Sequence, residues 1–214
     1  MFASREDAGR RLGHYLLEHG MRPDIVLGLP RGGVVVAAEV VNILQVPLDV
    51  VIVRKIGHPL HREFAVGALA EPDVVVLDDS VVGRNPLIRM QLKQVIAEEE
   101  ERLQKYGQTF HRDGLPDLDN KTVLLVDDGL ATGSTTEAAV EAVRRQGSRK
   151  VIVAAPVAST NAVERLSRVA DDVHILVVDP DFDAVGRYYE SFSQTTDEEV
   201  LSLLHARVHN HHGA

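Results

Sequence analysis

Two adjacent carboxylates, Asp127 and Asp128, follow the apolar run 123–126 and precede a segment rich in glycine and hydroxyl groups. Neighbouring acids at the end of a buried strand are unfavourable unless cations or hydroxyl groups meet them. The segment 129–136 reads Gly-Leu-Ala-Thr-Gly-Ser-Thr-Thr, which is typical of a turn into a helix N-terminus. Backbone N–H groups and the helix dipole favour a phosphate there. A sugar with vicinal hydroxyls and a 5′-phosphate would satisfy both halves, and an ordinary strand-to-helix turn is the alternative.

A second candidate segment, Arg31-Gly32-Gly33, follows the apolar run 24–29 and precedes a helix-like stretch. Glycines allow a backbone to approach a ligand closely, and an arginine can neutralise phosphate. The segment is therefore a candidate anion-binding loop. A plain glycine-rich turn is the alternative.

A third candidate lies where the run 48–53 ends in Arg54 and Lys55. The following segment, 56–63, is polar and contains glycine, proline and histidine. Loops of this kind close over active sites. We predict a mobile covering loop, with Glu63 at its end, and a solvated surface loop is the alternative.

Aromatic residues concentrate near the C-terminal end of the sequence, although the chain is only 4% aromatic. Phe182, Tyr188, Tyr189 and Phe192 fall within a few residues of one another, after the last predicted strand. Flat rings can stack on a flat base. Packing of these rings against the terminal helix is the alternative.

The string 123–135, Val-Leu-Leu-Val-Asp-Asp-Gly-Leu-Ala-Thr-Gly-Ser-Thr, resembles the phosphoribosyl pyrophosphate signature of the type I phosphoribosyltransferases. The segments Gly-Leu-Pro-Arg-Gly-Gly at 28–33 and Val-Arg-Lys-Ile-Gly at 53–57 extend the resemblance over most of the chain. They are similar to a group of phosphoribosyltransferases without assigned acceptors. The resemblance implies that Asp127 and Asp128 hold the ribose 2′- and 3′-hydroxyls. It also implies that the 5′-phosphate is wrapped by Ala131, Thr132, Gly133, Ser134 and Thr135.

The same resemblance assigns roles to the other candidates. It implies a pyrophosphate loop at 31–33, a covering loop after Arg54 and Lys55, and a small hood over an acceptor base. In the hypoxanthine-guanine subgroup, the fifth residue counted from the first acid is an aspartate beside the base. Here that residue is Ala131, whose methyl group cannot accept a proton, so the resemblance predicts another acceptor. Glu63 is a candidate acid or base, and an ordinary surface charge is the alternative.

Runs of Val, Ile and Leu alternate with helix-like segments, which indicates an α/β fold with a central, mostly parallel sheet and helices on both faces. Ligands bind beyond the carboxyl ends of the strands in such sheets, where the candidates lie. Capping patterns at 4–7 and 196–199 predict helix starts. We predict a core at 1–178 with a helical insertion at 80–118, followed by a hood and C-terminal helix at 179–214.

Composition excludes several classes of function. The chain has 214 residues and no cysteine, so disulfides, thiolate metal sites and cysteine nucleophiles are absent. A net charge of −9 argues against general nucleic-acid binding, which needs a basic surface. No apolar run reaches bilayer length, and the first residues do not resemble a signal segment. We therefore expect a cytoplasmic protein without a membrane partner, and a homo-oligomer.

These observations together predict a Mg²⁺-dependent enzyme. It would transfer the phosphoribosyl group of phosphoribosyl pyrophosphate to a ring nitrogen, such as that of a nucleobase, and release pyrophosphate. Asp127 and Asp128 would hold Mg²⁺ indirectly, through ribose hydroxyls or water. A non-catalytic protein that senses phosphoribosyl pyrophosphate is the alternative, and an acceptor that is not a nucleobase is a third possibility.

Overall fold

The computed structural model describes residues 1–78, 82–83, 86–111 and 114–208. In chain order the elements are α1 (Arg5–Glu18), β1 (Ile25–Gly28), α2 (Gly32–Leu44), β2 (Leu48–Val50), β3 (Val53–His58), β4 (His61–Ala70), β5 (Val74–Leu77), α3 (Pro86–Phe110), β6 (Thr122–Val126), α4 (Ser134–Arg145), β7 (Lys150–Ser159), α5 (Thr160–Leu166), β8 (Asp172–Asp179), a 3-10 helix (Val185–Tyr188) and α6 (Asp197–Val208). None of the described helices is long and apolar enough to cross a bilayer.

The central sheet contains five parallel strands in the order β2, β1, β6, β7, β8. Every residue of β1 and β6 is buried, because helices cover both faces of the sheet. Val26, Leu124 and Ile152 point towards α1 and α2. The alternate residues Leu125 and Val153 point towards α4 and α5. The predicted α/β fold with a mostly parallel sheet is confirmed.

Helix starts follow from capping residues. The Ser4 side chain accepts from the Asp7 N–H at the start of α1. At the start of α6, the Thr196 N–H donates to the Glu199 carboxylate over 2.8 Å, and the Glu199 N–H donates to the Thr196 hydroxyl over 3.1 Å. These bonds satisfy N–H groups that a helix leaves unpaired. The predicted capping patterns at 4–7 and 196–199 therefore both form.

A second, antiparallel sheet contains β3, β4 and β5. The prediction of a loop at 56–63 was therefore wrong, because most of this segment belongs to a hairpin whose turn is Pro59-Leu60. Ile56 is buried with the apolar residues that pack on α3, which holds the strand in place. The pairing shifts register beside Gly57, where a Cβ atom would lie 2.3 Å from the Arg62 carbonyl oxygen. Gly57 thus marks a bulge within a strand.

The small sheet lies between two helices. One face, with Ile56 and Leu69, packs on α3, which is the long helix of the predicted insertion. The opposite face, with Ala68 and Ala70, packs on α4, the helix that follows the acidic pair. The small sheet is thereby placed beside the carboxyl end of β6. The predicted insertion and C-terminal region also include residues 80–81, 84–85, 112–113 and 209–214, which lie outside the described residues.

The segment after β8 runs beside residues near the N-terminus of the sequence. The Phe2 N–H donates to the Tyr188 carbonyl, and the Glu190 N–H donates to the Phe2 carbonyl, both over 2.8 Å. Farther along, α6 packs through Val200 and Leu204 into the cluster that includes the small sheet and α3. The C-terminal region therefore connects α1, the central sheet and the insertion.

Candidate active site

Asp127 and Asp128 lie at the carboxyl end of β6, the middle strand of the parallel sheet. The Asp128 N–H donates to the Asp127 carboxylate over 2.8 Å. The Tyr189 hydroxyl donates to the Asp128 carbonyl oxygen over 2.5 Å. The backbone of the pair is therefore fixed from two sides, at the edge of the sheet where α/β proteins bind ligands.

Burial is the main cause that raises the pKa of both Asp127 and Asp128 above the usual carboxyl range. The negative charge of Asp128 raises the pKa of Asp127 further, whereas the positive charge of Lys55 opposes this rise. A hydrogen bond from Arg5 opposes the rise in the pKa of Asp128. The pair is thus a site of unfavourable negative charge, which hydroxyl groups or cations of a ligand would relieve.

Arg5, which the sequence did not single out, is the principal cationic partner of Asp128. Its Nε lies 2.7 Å from Asp128 Oδ2, and the two side chains are only 11% and 15% exposed. Its Nη1 donates to the Ser193 carbonyl over 2.7 Å, and its guanidinium lies 3.8 Å from the centre of the Phe192 ring. In sequence, Arg5 is only the residue after the N-cap of α1, and no local pattern indicates this partner.

The loop between β1 and α2 approaches the acidic pair closely. A Cβ atom at Gly32 would lie 2.0 Å from Asp128 Oδ2, and one at Gly33 would lie 2.8 Å from the Val126 carbonyl oxygen. Both positions therefore require glycine for a close approach. Arg31 lies at the start of this loop, after a cis peptide bond with Pro30, and its guanidinium lies 3.8 Å from Asp197.

Arg54 and Lys55 point in opposite directions, because side chains alternate along β3. Lys55 is exposed, and its charge acts on Asp127. Arg54 instead lies 2.6 Å from the buried Glu99 of α3, and near the Tyr106 ring. The structure therefore brings Lys55 towards the acidic pair and does not bring Arg54 there. The Glu63 side chain lies outside the described part of the structure.

The predicted phosphate loop leads into α4. Gly133 has a φ of 73°, which favours glycine, and it provides no side-chain cap for the helix. By contrast, Ser159 caps the start of α5. The Ser134 N–H donates to the Thr132 hydroxyl over 3.4 Å, and the following N–H groups of the first turn of α4 are left to a ligand as far as the described residues show. The hydroxyls of Thr132 and Ser134 lie 3.0 Å apart at the same place, and Thr135 follows in the first turn.

The first part of this loop is held against the carboxyl-terminal end of β7. The Leu130 N–H donates to the Val157 carbonyl over 2.9 Å, and the Ser159 N–H donates to the Leu130 carbonyl over 2.9 Å. The Ser159 hydroxyl donates to the Ala131 carbonyl over 2.5 Å. The loop is consequently fixed by its backbone, while Ala131 and Thr132 remain exposed.

A pocket of about 900 Å³ adjoins the phosphate loop. Ala131, Thr132 and Ser134 line one side of it. Phe64 of β4 and Arg165 of α5 line other parts. The volume lies within the range of small-molecule sites, so the loop borders a space that a ligand could occupy.

The C-terminal aromatic residues divide into two groups. Phe182 and Tyr188 stack on each other, with ring centres 5.3 Å apart, and the Tyr188 hydroxyl donates to Asp179 over 2.6 Å. Tyr189 is buried, with its ring 5.6 Å from Phe2 and 5.2 Å from Phe192. Tyr189 therefore packs beneath the acidic pair, which corrects the expectation that its ring stacks on a base.

Comparisons with known proteins agree with this geometry. A model of the phosphoribosyl transferase domain matches residues 4–186. The crystal structure of the TT1426 protein from Thermus thermophilus is 42% identical in sequence, covers 96% of this chain and 98% of that one, and superposes with a TM-score of 0.82. The AQ2163 protein from Aquifex aeolicus, 14% identical over 85% of this chain and 78% of that one, shares the fold with a TM-score of 0.53.

The chain belongs to the phosphoribosyl transferase domain family, as its sequence predicted. Among curated proteins, Rv0571c of Mycobacterium tuberculosis is 42% identical over 206 residues and is named, provisionally, as a phosphoribosyl transferase. The match covers 95% of this chain and 46% of that protein, so the chain spans about half the length of the curated relatives it matches.

Proposed function

We propose that this chain transfers the phosphoribosyl group of phosphoribosyl pyrophosphate to a ring-nitrogen acceptor and releases pyrophosphate. One arrangement carries the proposal. The acidic pair and the N-terminus of α4, whose N-cap residue Gly133 supplies no side-chain cap, are joined by the loop 129–133 at the carboxyl end of the central strand. Vicinal hydroxyls and a phosphate on one pentose match these two features together. The provisional name of the mycobacterial relatives supports the same class of reaction.

The donor sugar would be held by charge and by hydrogen bonds. Asp127 and Asp128 accept hydrogen bonds from the ribose hydroxyls, which compensates the unfavourable negative charge of the buried pair. The first-turn N–H groups of α4, with the hydroxyls of Thr132, Ser134 and Thr135, bind the 5′-phosphate. The N–H groups and the glycine backbone at 31–33 face the pyrophosphate, with Arg31 and Lys55 as the nearby cations.

These residues fit a Mg²⁺ ion that would be held jointly by the protein and by oxygens of the donor. Within the described ranges, no group of three or more His, Cys, Asp and Glu residues could hold a metal ion. Mg²⁺ is commonly bound by one or two carboxylates together with substrate oxygens and water, and Asp127 with Asp128 meets that requirement. When bound, it supplies positive charge that offsets the charge of the pyrophosphate.

The reaction breaks the C1′–O bond, and the bonding electron pair leaves with pyrophosphate. The acceptor nitrogen forms the C1′–N bond and loses its proton. The sugar gains positive charge as the leaving group departs, and the carboxylates of Asp127 and Asp128 stabilise that charge. Glu63 stays our candidate for the group that handles the acceptor's proton, which is typically worth about 10²–10⁴-fold in rate.

The acceptor side of the site has no carboxylate at the fifth position of the motif, because Ala131 presents only a methyl group there. We therefore propose an acceptor other than hypoxanthine or guanine. Phe182 and Tyr188 stay candidates for contact with it, although they also stack on each other. A cytoplasmic location and a homo-oligomeric state stay predictions from the sequence.

The test is a screen of pyrophosphate release with phosphoribosyl pyrophosphate, Mg²⁺ and a panel of ring-nitrogen acceptors, including hypoxanthine, guanine, adenine and orotate. We expect acceptor-dependent release by the wild type and none by the Asp127→Asn/Asp128→Asn variant. Donor binding without release for any acceptor would favour the sensing role. Turnover of hypoxanthine or guanine, with adenine and orotate inert, would contradict the argument from Ala131.

A further inference from the structure

Three segments that are far apart in sequence converge on Asp128 and on Arg5, the cation that pairs with it. Arg5 of α1 binds it through Nε at 2.7 Å. Gly32 lies against both groups, since a Cβ atom there would fall 2.0 Å from Asp128 Oδ2 and 2.7 Å from Arg5 Nε. The segment after β8 binds the remaining parts of Arg5. This arrangement holds the guanidinium in one place.

The C-terminal contacts explain how Arg5 is oriented. Its Nη1 donates to the Ser193 carbonyl over 2.7 Å, and the Phe192 ring covers its flat face at 3.8 Å. Stacking and a second hydrogen bond restrict a side chain that otherwise has many rotamers. The Tyr189 hydroxyl, four residues before Ser193, bonds to the carbonyl of Asp128 itself. The same segment therefore fixes both Asp128 and its cation.

A second cation lies close to the continuation of this segment. Arg31 Nη1 lies 3.8 Å from Asp197 Oδ1, at the first residue of α6. That oxygen is buried and has no hydrogen-bond partner among the described residues. Residues 189–197 thus contact Asp128, Arg5 and Arg31, all of which border the proposed donor site.

We propose that Arg5 is a positioning residue for donor binding, and that the segment 189–197 holds it against Asp128. The proposal rests on the proposed function, because it concerns the same acidic pair. Arg5 acts through Asp128 and does not need to touch the donor, since its Nε and Nη1 are bound to Asp128 and Ser193. The orientation of Asp128 towards the ribose hydroxyls therefore depends on residues outside the signature motif.

The test compares Arg5→Gln, Arg5→Lys and Phe192→Leu with Arg10→Gln, a matched control. Arg10 lies on the same helix, is 52% exposed, and lies 3.9 Å from Glu39. Calorimetry with phosphoribosyl pyrophosphate and Mg²⁺ measures the dissociation constant of each variant. We expect Arg5→Gln to weaken donor binding about 10- to 100-fold, the size of one lost charged hydrogen bond. Arg5→Lys should recover part of this loss, and Arg10→Gln should bind as the wild type does.

Two further readouts separate positioning from general structural support. Adding Phe192→Leu to Arg5→Gln should cause no further loss, because the ring acts through the guanidinium. A crystal structure of ligand-free Arg5→Gln should show the Asp128 carboxylate turned away from its wild-type position. Wild-type affinity in a folded Arg5→Gln protein, or an unmoved Asp128, would overturn the proposal.

If Arg5→Gln does not fold, Arg5→Lys and Phe192→Leu decide the question, and wild-type affinity in both would overturn it. If the wild type itself binds no phosphoribosyl pyrophosphate, the proposed function fails. The crystallographic comparison of wild type and Arg5→Gln then still tests whether Arg5 holds the Asp128 carboxylate in place, because that comparison needs no donor.

Discussion

Two adjacent glycines, Gly32 and Gly33, should respond differently to alanine. A Cβ atom at Gly33 would lie 2.8 Å from the Val126 carbonyl oxygen and 2.9 Å from Asp127 Cα, whereas ordinary contacts lie at 3.4–4 Å. Both obstructing atoms belong to the backbone at the carboxyl end of β6 and cannot move aside cheaply. Overpacking of this kind destabilises by about 1–3 kcal/mol. At about 2–4 °C per kcal/mol for a chain of this size, Gly33→Ala should lower the Tm by about 2–12 °C.

A Cβ atom at Gly32 would meet Asp128 Oδ2 at 2.0 Å and Arg5 Nε at 2.7 Å, and both atoms belong to side chains rather than to the backbone. These side chains can rotate away, so the fold should survive and the arrangement of the site should not. We expect Gly32→Ala to melt close to the wild type and to bind the donor at least about ten times more weakly, as for one lost charged hydrogen bond.

Differential scanning calorimetry and donor titration on both variants provide the assay, with Gly107→Ala as the control. A Cβ atom at Gly107, in the interior of α3, would approach Glu71 only to 3.9 Å. This control should be stabilised by about 0.5–1 kcal/mol through helix propensity. A Gly33→Ala protein that melts at or above the wild-type temperature would refute the reasoning. A Gly32→Ala protein with wild-type donor affinity would refute the claim that Gly32 is needed for the arrangement of the donor site.

Three further predictions concern charge and motion. The pKa of Asp127 is raised in the folded state, so its ionisation destabilises the fold as pH rises from the usual carboxyl range through that pKa. Asp127→Asn should therefore stabilise the apo protein by at least about 1 kcal/mol at pH 8, and by less at pH 5, in thermal melts at both values. Lys55→Gln should weaken donor binding, whereas Arg54→Gln should mainly lower the Tm because it removes one of the two arginines that pair with the buried Glu99, the other being Arg102. The reverse pattern would contradict the assignment of faces. Hydrogen exchange at 56–63 should slow when donor and Mg²⁺ are added, and identical exchange with binding confirmed would count against a covering hairpin.

The parts of the site that are contiguous in sequence could be predicted from it. Asp127, Asp128 and the loop after them form one strand-to-helix junction, and strand burial, turn residues and helix start all point to it. Arg5 could not be found this way, since it lies 123 residues from Asp128 and its neighbours indicate only a helix cap. Its role depends on how α1 and the C-terminal segment pack, which local patterns do not encode.

The covering segment was misjudged for a related reason. Glycine, proline and histidine at 56–63 indicated a loop, but Ile56 packs into the core under α3 and draws the segment into a strand. That pairing also decides which of two adjacent cations faces the site, because Arg54 and Lys55 take opposite faces of β3. Tertiary packing, rather than local propensity, determines both results.

Calorimetric titration of phosphoribosyl pyrophosphate with Mg²⁺ tests the central claim most directly. The wild type should bind, and Asp127→Asn/Asp128→Asn should show no binding while keeping its circular dichroism spectrum. Glu100→Gln/Glu101→Gln is the matched control, because it removes two adjacent charges from the exposed side of α3 and should bind as the wild type does. Unchanged affinity in the folded Asp127→Asn/Asp128→Asn protein would contradict the account.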